Sequence, residues 1–204
     1  MLGGESLIAR KVRQVCGLGM VVVGSDDDEM LAEAEKSGAI AVRRTKTNEG
    51  QDSANSMWKE FMELIEPLNP KTVVWTHVTS PFIKTETYEK AIKTFDIARQ
   101  EGYDSLISVT AVREHFWCND MRTPMYNVTW CKNVRHLCAD ELPPIYMQNG
   151  GLFINDYQQV RQHPYFFGER PKLFEIPKEE SIDINTPEDW ICCKALYEHY
   201  NNPQ

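Results

Sequence analysis

Val73-Val74-Trp75-Thr76-His77-Val78-Thr79-Ser80-Pro81-Phe82 is an apolar, β-branched run that ends in a short polar tip and is stopped by a proline. β-Branched and aromatic side chains fit a pleated, packed surface. A helical pattern follows from about Glu86 to Gln100, with Tyr88, Ile92, Phe95 and Arg99 in register. The stretch is therefore expected to be a buried parallel strand that carries His77, Thr79 and Ser80 to its carboxyl end. Open α/β sheets bind their ligands at that edge. A plainer reading stands beside this one: the same tip serves as a turn and a helix start.

Upstream, Ser6 to Val15 places Leu7, Ile8, Val12 and Val15 on a helical stripe, and Gly17 and Gly19 end it. Met20-Val21-Val22-Val23 reads as a short buried strand. Gly24-Ser25-Asp26-Asp27-Asp28-Glu29 then forms a turn, with Ser25 or Asp26 expected as the N-cap of a helix that Gly38 closes. Ala39-Ile40-Ala41-Val42 is a second strand, ending in Arg43-Arg44. A polar connection, 45–51, leads to a helix from Asp52 or Ser53 that carries Met57, Trp58, Phe61, Leu64 and Ile65. Downstream, Ser105 to Val109 is a strand, as are Leu152-Phe153-Ile154 and Lys172 to Ile176, with a short helix from Asp156 to Gln162. Thr186-Pro187-Glu188-Asp189 has the form of a capping box that starts the final helix. Strands alternating with helices at this spacing imply βαβ units in one α/β domain, 1–204, with a mainly parallel sheet. Segment 111–144 departs from that rhythm and reads as loops and antiparallel strands outside the main sheet.

Composition bounds the function. The chain has 204 residues, 42% hydrophobic and 25% charged, with a net charge of −8. That charge argues against general nucleic-acid binding, which needs a basic surface. No apolar run approaches the roughly 20 residues that span a bilayer, and no secretory leader is visible, so a cytoplasmic location is expected. The six cysteines show no CxxC spacing and are expected to be thiols.

Four constellations carry chemistry. The strand tip, His77, Thr79 and Ser80, offers hydroxyls and an imidazole. Asp183-Ile184-Asn185, if extended, puts a carboxylate and an amide on one face, a set that suits a hard cation such as Mg²⁺. Arg43, Arg44 and Lys46 follow a strand, and arginine suits bidentate recognition of phosphate or carboxylate. In Asn149-Gly150-Gly151, glycine lets backbone come close to a ligand. Each has an ordinary structural counterpart: a turn, a helix cap, a solvated loop and another turn.

Together these stretches resemble the cytidylyltransferases that activate 2-keto sugar acids, the CMP-N-acylneuraminate synthetase family. Val21 to Glu29 is similar to the family's second strand and its "S-(T/S)-D-D-E" tip. Arg43-Arg44 with Gln51 to Ser56 is similar to "R-P…S-D-T-A-S-S". Thr79-Ser80-Pro81-Phe82 resembles "T-S-P-L", and Asp104 to Val109 resembles "D-S-L-V-S-V". Leu142-Pro143-Pro144 to Asn149-Gly150 resembles "L-P-x-x-(F/Y)-x-x-N-G", and Ser181 to Thr186 resembles "S-I-D-I-D-T". The six matches occur in the same order and cover most of the chain.

The resemblance implies a Rossmann-like, mainly parallel sheet of the nucleotide-diphospho-sugar transferase type, with 111–148 as a small antiparallel dimerisation excursion of a homodimer. It implies transfer of CMP from CTP to a sialic acid-like nonulosonic acid, with release of pyrophosphate. Carried over by position, Arg44 and Ser56 would contact the nucleotide. His77, Thr79, Ser80, Asn149 and Gly150 would lie on the sugar-acid side, and Asp183 and Asn185 would hold Mg²⁺. Departures bear on substrate: the family's glutamine before "T-S-P" is His77 here, and its second metal-site aspartate is Asn185. Ala139 and Met147 stand where arginines are expected, so a different or modified nonulosonic acid is anticipated. The family's opening strand and "R-x-G-S-K" loop, on the order of 20 residues, have no match. Their lack is expected to leave neighbouring strands unpaired and to remove the main phosphate cradle; the chain then reads either as a truncated version of an enzyme or as a diverged, nucleotide-poor protein, and its own activity stays open. Two other functions fit the same residues: a noncatalytic member that binds a sugar acid or a partner, and an enzyme closer to the octulosonate cytidylyltransferases.

Overall fold

The computed structural model describes residues 1–45, 53–118, 123–124 and 138–201. The first unit is built from α1 (Leu7–Val15), β1 (Val22–Ser25), α2 (Asp28–Lys36) and β2 (Ile40–Arg43). Ser6 caps α1 by accepting from the Ala9 amide, and Asp27 caps α2 by accepting from Met30. β1 and β2 pair in parallel from Val22↔Ile40 to Ser25↔Arg43. Val12, Ala34 and Ala39 form the small core between helices and strands.

Helix α3 (Ser53–Ile65) leads to β3 (Thr72–Thr76), α4 (Thr85–Gln100) and β4 (Ser105–Val112). The short strands β5 (Trp117–Cys118) and β6 (Thr123–Pro124) pair with each other antiparallel. β7 (Ile145–Asp156), α5 (Tyr157–Gln162), β8 (Pro171–Glu175) and α6 (Pro187–Asn201) complete the chain. The main sheet has four strands in the order β3-β7-β4-β8. β4 and β8 are parallel, whereas β7 runs antiparallel to both β3 and β4. Three strands thus point one way and only β7 runs against them, a Rossmann-like α/β arrangement.

Two cores sandwich this sheet. Trp58, Phe61, Met62 and Ile65 of α3 pack with Val73, Tyr157 and Val160 on one side. Tyr88, Ala91 and Phe95 of α4 pack with Leu106, Leu152 and Ile154 on the other. Each fully buried large apolar side chain contributes roughly 1.5–3 kcal/mol, so these layers fix the strand ends between them.

Several expectations are corrected. Among the described residues the opening strand has no parallel neighbour: β3 is hydrogen-bonded there only to β7, because the long antiparallel strand inserts between β3 and β4. The first strand begins two residues later than Met20, and the cap of α2 is Asp27 rather than Ser25 or Asp26. Asn149-Gly150-Gly151 is no turn between strands. It lies inside β7, opposite a register shift at Ile107/Val109, where Gly150 takes φ +68°. The capping box of α6 is present as read: Asp189 accepts from the Thr186 amide at 2.8 Å and its own amide donates to the Thr186 hydroxyl at 3.2 Å. Lys46, the connection 46–52 and most of 119–137 lie outside the described residues. Among the described residues, β1 pairs only with β2, and the two sheets share no strand. Cys16, Cys138, Cys192 and Cys193 are free thiols. No helix of the described residues is long and apolar enough to cross a membrane.

Candidate functional site

The end of β3 is held by its own side chains. Trp75 Nε1 donates to His77 Nε2 at 2.9 Å, and His77 Nδ1 lies 2.8 Å from the Gly150 carbonyl. An indole can only donate and a carbonyl can only accept. His77 is therefore the neutral tautomer with its proton on Nδ1, and both ring nitrogens are engaged inside the fold. The turn after it is closed by the Ser80 amide donating to the His77 carbonyl at 3.2 Å. Ser80 is buried, and its hydroxyl has no partner among the described residues.

Gly150 brings the next piece in. A Cβ at this position would sit 3.5 Å from Asp183 Oδ2 and 3.7 Å from His77 Nδ1. The backbone therefore passes close to both, and its positive φ favours glycine. The Ile184 amide donates to the Thr79 carbonyl at 2.9 Å, which ties 183–185 to the strand tip. Asn185 Nδ2 donates to Asp183 Oδ2 at 3.0 Å, so the two side chains do share a face. Asp183 Oδ1 is buried without a partner. Asp189 accepts from the Asn185 amide and from Thr186, which holds its carboxyl below the usual range.

Asn149 faces inward. Its Oδ1 accepts from the Ser108 hydroxyl at 2.6 Å and the Gly151 amide at 3.1 Å, and its Nδ2 donates to Thr110 at 3.0 Å. Ser108 in turn accepts from the Leu152 amide. This buried network pins the irregular part of β7. Neighbouring Gly151 has no room for a side chain, since a Cβ would meet Ile83 Cδ1 at 2.7 Å.

The basic set divides. Arg43 pairs with Asp28 and donates to the Asp26 carbonyl. Arg44 reaches Asp26 only at 3.7 Å, and its Nε and Nη1 are buried without partners. Ser56, in the first turn of α3, is exposed. No hydrogen bond or ion pair among the described residues links Arg44 or Ser56 to the cluster around Asp183. His77, Thr79, Gly150, Asp183 and Asn185 come together; Arg44 and Ser56 stand on the β2–α3 side.

For a cation, the described residues contain no group of three or more His, Cys, Asp or Glu side chains at ligand spacing. One buried carboxylate oxygen without a partner, beside an amide that can turn its oxygen the same way, nevertheless fits Mg²⁺. That ion takes one or two protein carboxylates and fills its other positions with water and phosphate. A groove of about 530 Å³ lies elsewhere, between α1, α6 and residues 82–84. Several of its charges are already paired, Arg13 with Glu5 and Lys84 with Glu180.

Sequence reading missed Lys11, Thr76 and Tyr88. Lys11 is buried and donates to the Ser80 carbonyl at 2.8 Å and to the Tyr88 hydroxyl at 2.7 Å. Burial, with Arg10 adding to it, pushes its ammonium down to about 7. A signal was present: Lys11 follows Leu7 by four and Ile8 by three, on the apolar stripe of α1.

Comparison with known proteins bears on family and fold. The family model described as Cytidylyltransferase matches residues 1–187. N-acylneuraminate cytidylyltransferase of Streptococcus agalactiae is 23% identical over 197 residues, covering 93% of this chain and 46% of that protein. The chain thus spans about half the length of that relative. CMP-N,N′-diacetyllegionaminic acid synthase of Legionella pneumophila is 25% identical, covering 97% of this chain and 88% of that one. Pseudaminic acid cytidylyltransferase of Campylobacter jejuni is 24% identical, with 95% and 86% covered. In fold, the chain resembles 4-diphosphocytidyl-2C-methyl-D-erythritol synthase of Anaerococcus prevotii, with TM-score 0.67, 13% identity and coverage of 96% and 87%. It also resembles CMP:2-keto-3-deoxy-manno-octonic acid synthetase solved with CTP, with TM-score 0.61, 13% identity and coverage of 98% and 90%. With a family model spanning most of its length, the chain belongs to the cytidylyltransferase family.

Proposed function

We propose that the protein transfers CMP from CTP to a sialic acid-like nonulosonic acid and releases pyrophosphate, acting in the cytoplasm. The sugar's anomeric hydroxyl attacks the α-phosphate; its new P–O bond replaces the bond to the β-phosphate, which leaves with the γ-phosphate. The observation that carries the reading is the convergence of the strand tip, Gly150 and Asp183 at one edge of the sheet. The names of the sialic, legionaminic and pseudaminic acid relatives support the choice of substrate.

In this reading Arg44 holds the nucleotide, because its unpartnered guanidinium nitrogens need an acceptor, and the exposed Ser56 hydroxyl lies on the same side. Thr79, Ser80 and the Gly150 backbone face the sugar acid. His77 and Asn149, with their polar atoms turned inward, orient Gly150. Asp183 and Asn185 hold Mg²⁺, which offsets the charge that develops on the phosphates. Positioning and electrostatics of this kind supply most of what such a transfer needs. Residues 111–148 serve as a dimerisation excursion of a homodimer; exposed Tyr146 and Met147, at the near end of β7, support that assignment.

The test is pyrophosphate release from CTP and Mg²⁺ with N-acetylneuraminic, legionaminic and pseudaminic acids, using the full-length gene product. Turnover with one of them is expected. A folded protein that binds a sugar acid but releases no pyrophosphate with any of them is instead a noncatalytic sugar-acid-binding member.

A further inference from the structure

Four elements meet at a buried hydrogen-bonded chain behind the strand tip. Thr76 Oγ1 lies 2.7 Å from the Gly151 carbonyl and 2.7 Å from the Tyr88 hydroxyl. Only the threonine has a proton to give the carbonyl, so the Tyr88 hydroxyl must donate to Thr76. Tyr88 then accepts from Lys11 Nζ, 2.7 Å away. The direction is fixed throughout: Lys11 on α1 donates to Tyr88 on α4, Tyr88 to Thr76 on β3, and Thr76 to the Gly151 carbonyl on β7. A branch runs from Lys11 to the Ser80 carbonyl.

Lys11 thus meets two acceptors, which match the two N–H bonds of a neutral amine; the third N–H of an ammonium has no partner among the described residues. Its lowered proton affinity agrees with that count. Burial pushes the Tyr88 phenol up, so it keeps the proton that the chain requires. Arg10 beside Lys11 on α1, and Glu180 acting on Tyr88, are the charged groups that bear on the pair.

We propose that Lys11, Tyr88 and Thr76 are positioning residues: their one-way chain holds the 76–81 turn and the Gly150–Gly151 backbone in the geometry that takes the sugar acid. Both ends of the chain are backbone carbonyls, one at each side of the site, so α1 sets their separation without touching substrate. The proposal rests on the reading of this edge as the sugar-acid side.

The experiment compares the full-length protein with Lys11→Met and with Thr76→Val, which keeps the shape of the strand residue. Amide hydrogen exchange is followed by mass spectrometry, and binding of CTP and of the sugar acid by calorimetry. Expected in both variants is exchange about tenfold faster across 76–81 and 149–152, the worth of one such hydrogen bond. Segment 105–109 keeps its protection. Sugar-acid affinity weakens by a similar factor, while CTP affinity stays within about twofold. Unchanged exchange in both variants overturns the relay. Faster exchange throughout the sheet marks general destabilisation and overturns it too, as does local loosening with unchanged sugar-acid affinity. If exchange loosens locally but the unmodified protein binds no sugar acid, the functional reading fails while the hold on the backbone is upheld.

Discussion

The two sides of the site are built differently. Around Gly150 the groups that hold the backbone have partners: Asn149 uses both ends of its amide, His77 both ring nitrogens, and Lys11 donates to two acceptors, while Ser80 Oγ and Asp183 Oδ1 are left open. Around Arg44 the reverse holds, with guanidinium nitrogens buried and unpartnered and the nearest carboxylate at 3.7 Å. Buried polar groups are ordinarily paired. A backbone already held by its neighbours is pre-organised and spends little on ordering when a ligand arrives. A side left with unmet donors gains most from an anion.

The largest effect that tests this contrast concerns pH. Lys11 is lowered to about 7 from 10.5 in the unfolded chain. Between those values the unfolded state binds the extra proton, so stability rises as pH rises from 7 toward 10.5, by up to roughly 4 kcal/mol. Urea unfolding of the unmodified protein at pH 7 and pH 9.5 measures the rise, and Lys11→Met is expected to flatten it; an equally steep rise in the variant would remove Lys11 as its source. Next, Asn149→Ala strands a hydroxyl pair and the Gly151 amide, and is expected to cost about 3 kcal/mol in the same assay. A loss of under about 1 kcal/mol means that the buried network does not pin β7. Asp183→Asn removes the carboxylate charge from the cation set. Pyrophosphate release is expected to fall about 100-fold, with stability held or slightly raised because a buried, unpartnered oxygen is neutralised. The smallest effect is on the other side: Arg44→Lys loses the bidentate fork and is expected to raise the KM for CTP about tenfold, with stability within about 0.5 kcal/mol. If that variant unfolds the protein instead, Arg44 belongs to the framework and the contrast fails.

What the sequence made legible follows from what periodicity and turn chemistry encode. The βαβ rhythm, the capping box at Thr186 and the shared face of Asp183 and Asn185 are local patterns, and all three are present. The pairing of β3 was not legible. An apolar run such as Val73-Val74-Trp75 reads the same whether its neighbour is parallel or antiparallel, and the neighbour lies about eighty positions away, from Thr72↔Asp156 onward. The same holds for Asn149-Gly150-Gly151. These are residues of turns, yet tertiary hydrogen bonds with Ser108 and Thr110 keep them within a strand. The relay through Lys11 was hidden for another reason. A lysine on an apolar stripe is ordinarily read as a long side chain reaching water, and nothing local reveals that Tyr88 and Ser80 close over it.

Trp75 gives the molecule an optical consequence. Its ring stacks against Trp58 with centroids 4.5 Å apart and planes inclined at 34°, while its N–H is bound to His77. Two indoles this close couple their electronic transitions, so the pair should produce an exciton couplet in circular dichroism. The sign and size of that couplet depend on the angle between the rings, and one of them is tethered to the imidazole that contacts Gly150. Any ligand that moves Gly150 therefore writes its arrival into the polarised absorption of the protein, with no label attached.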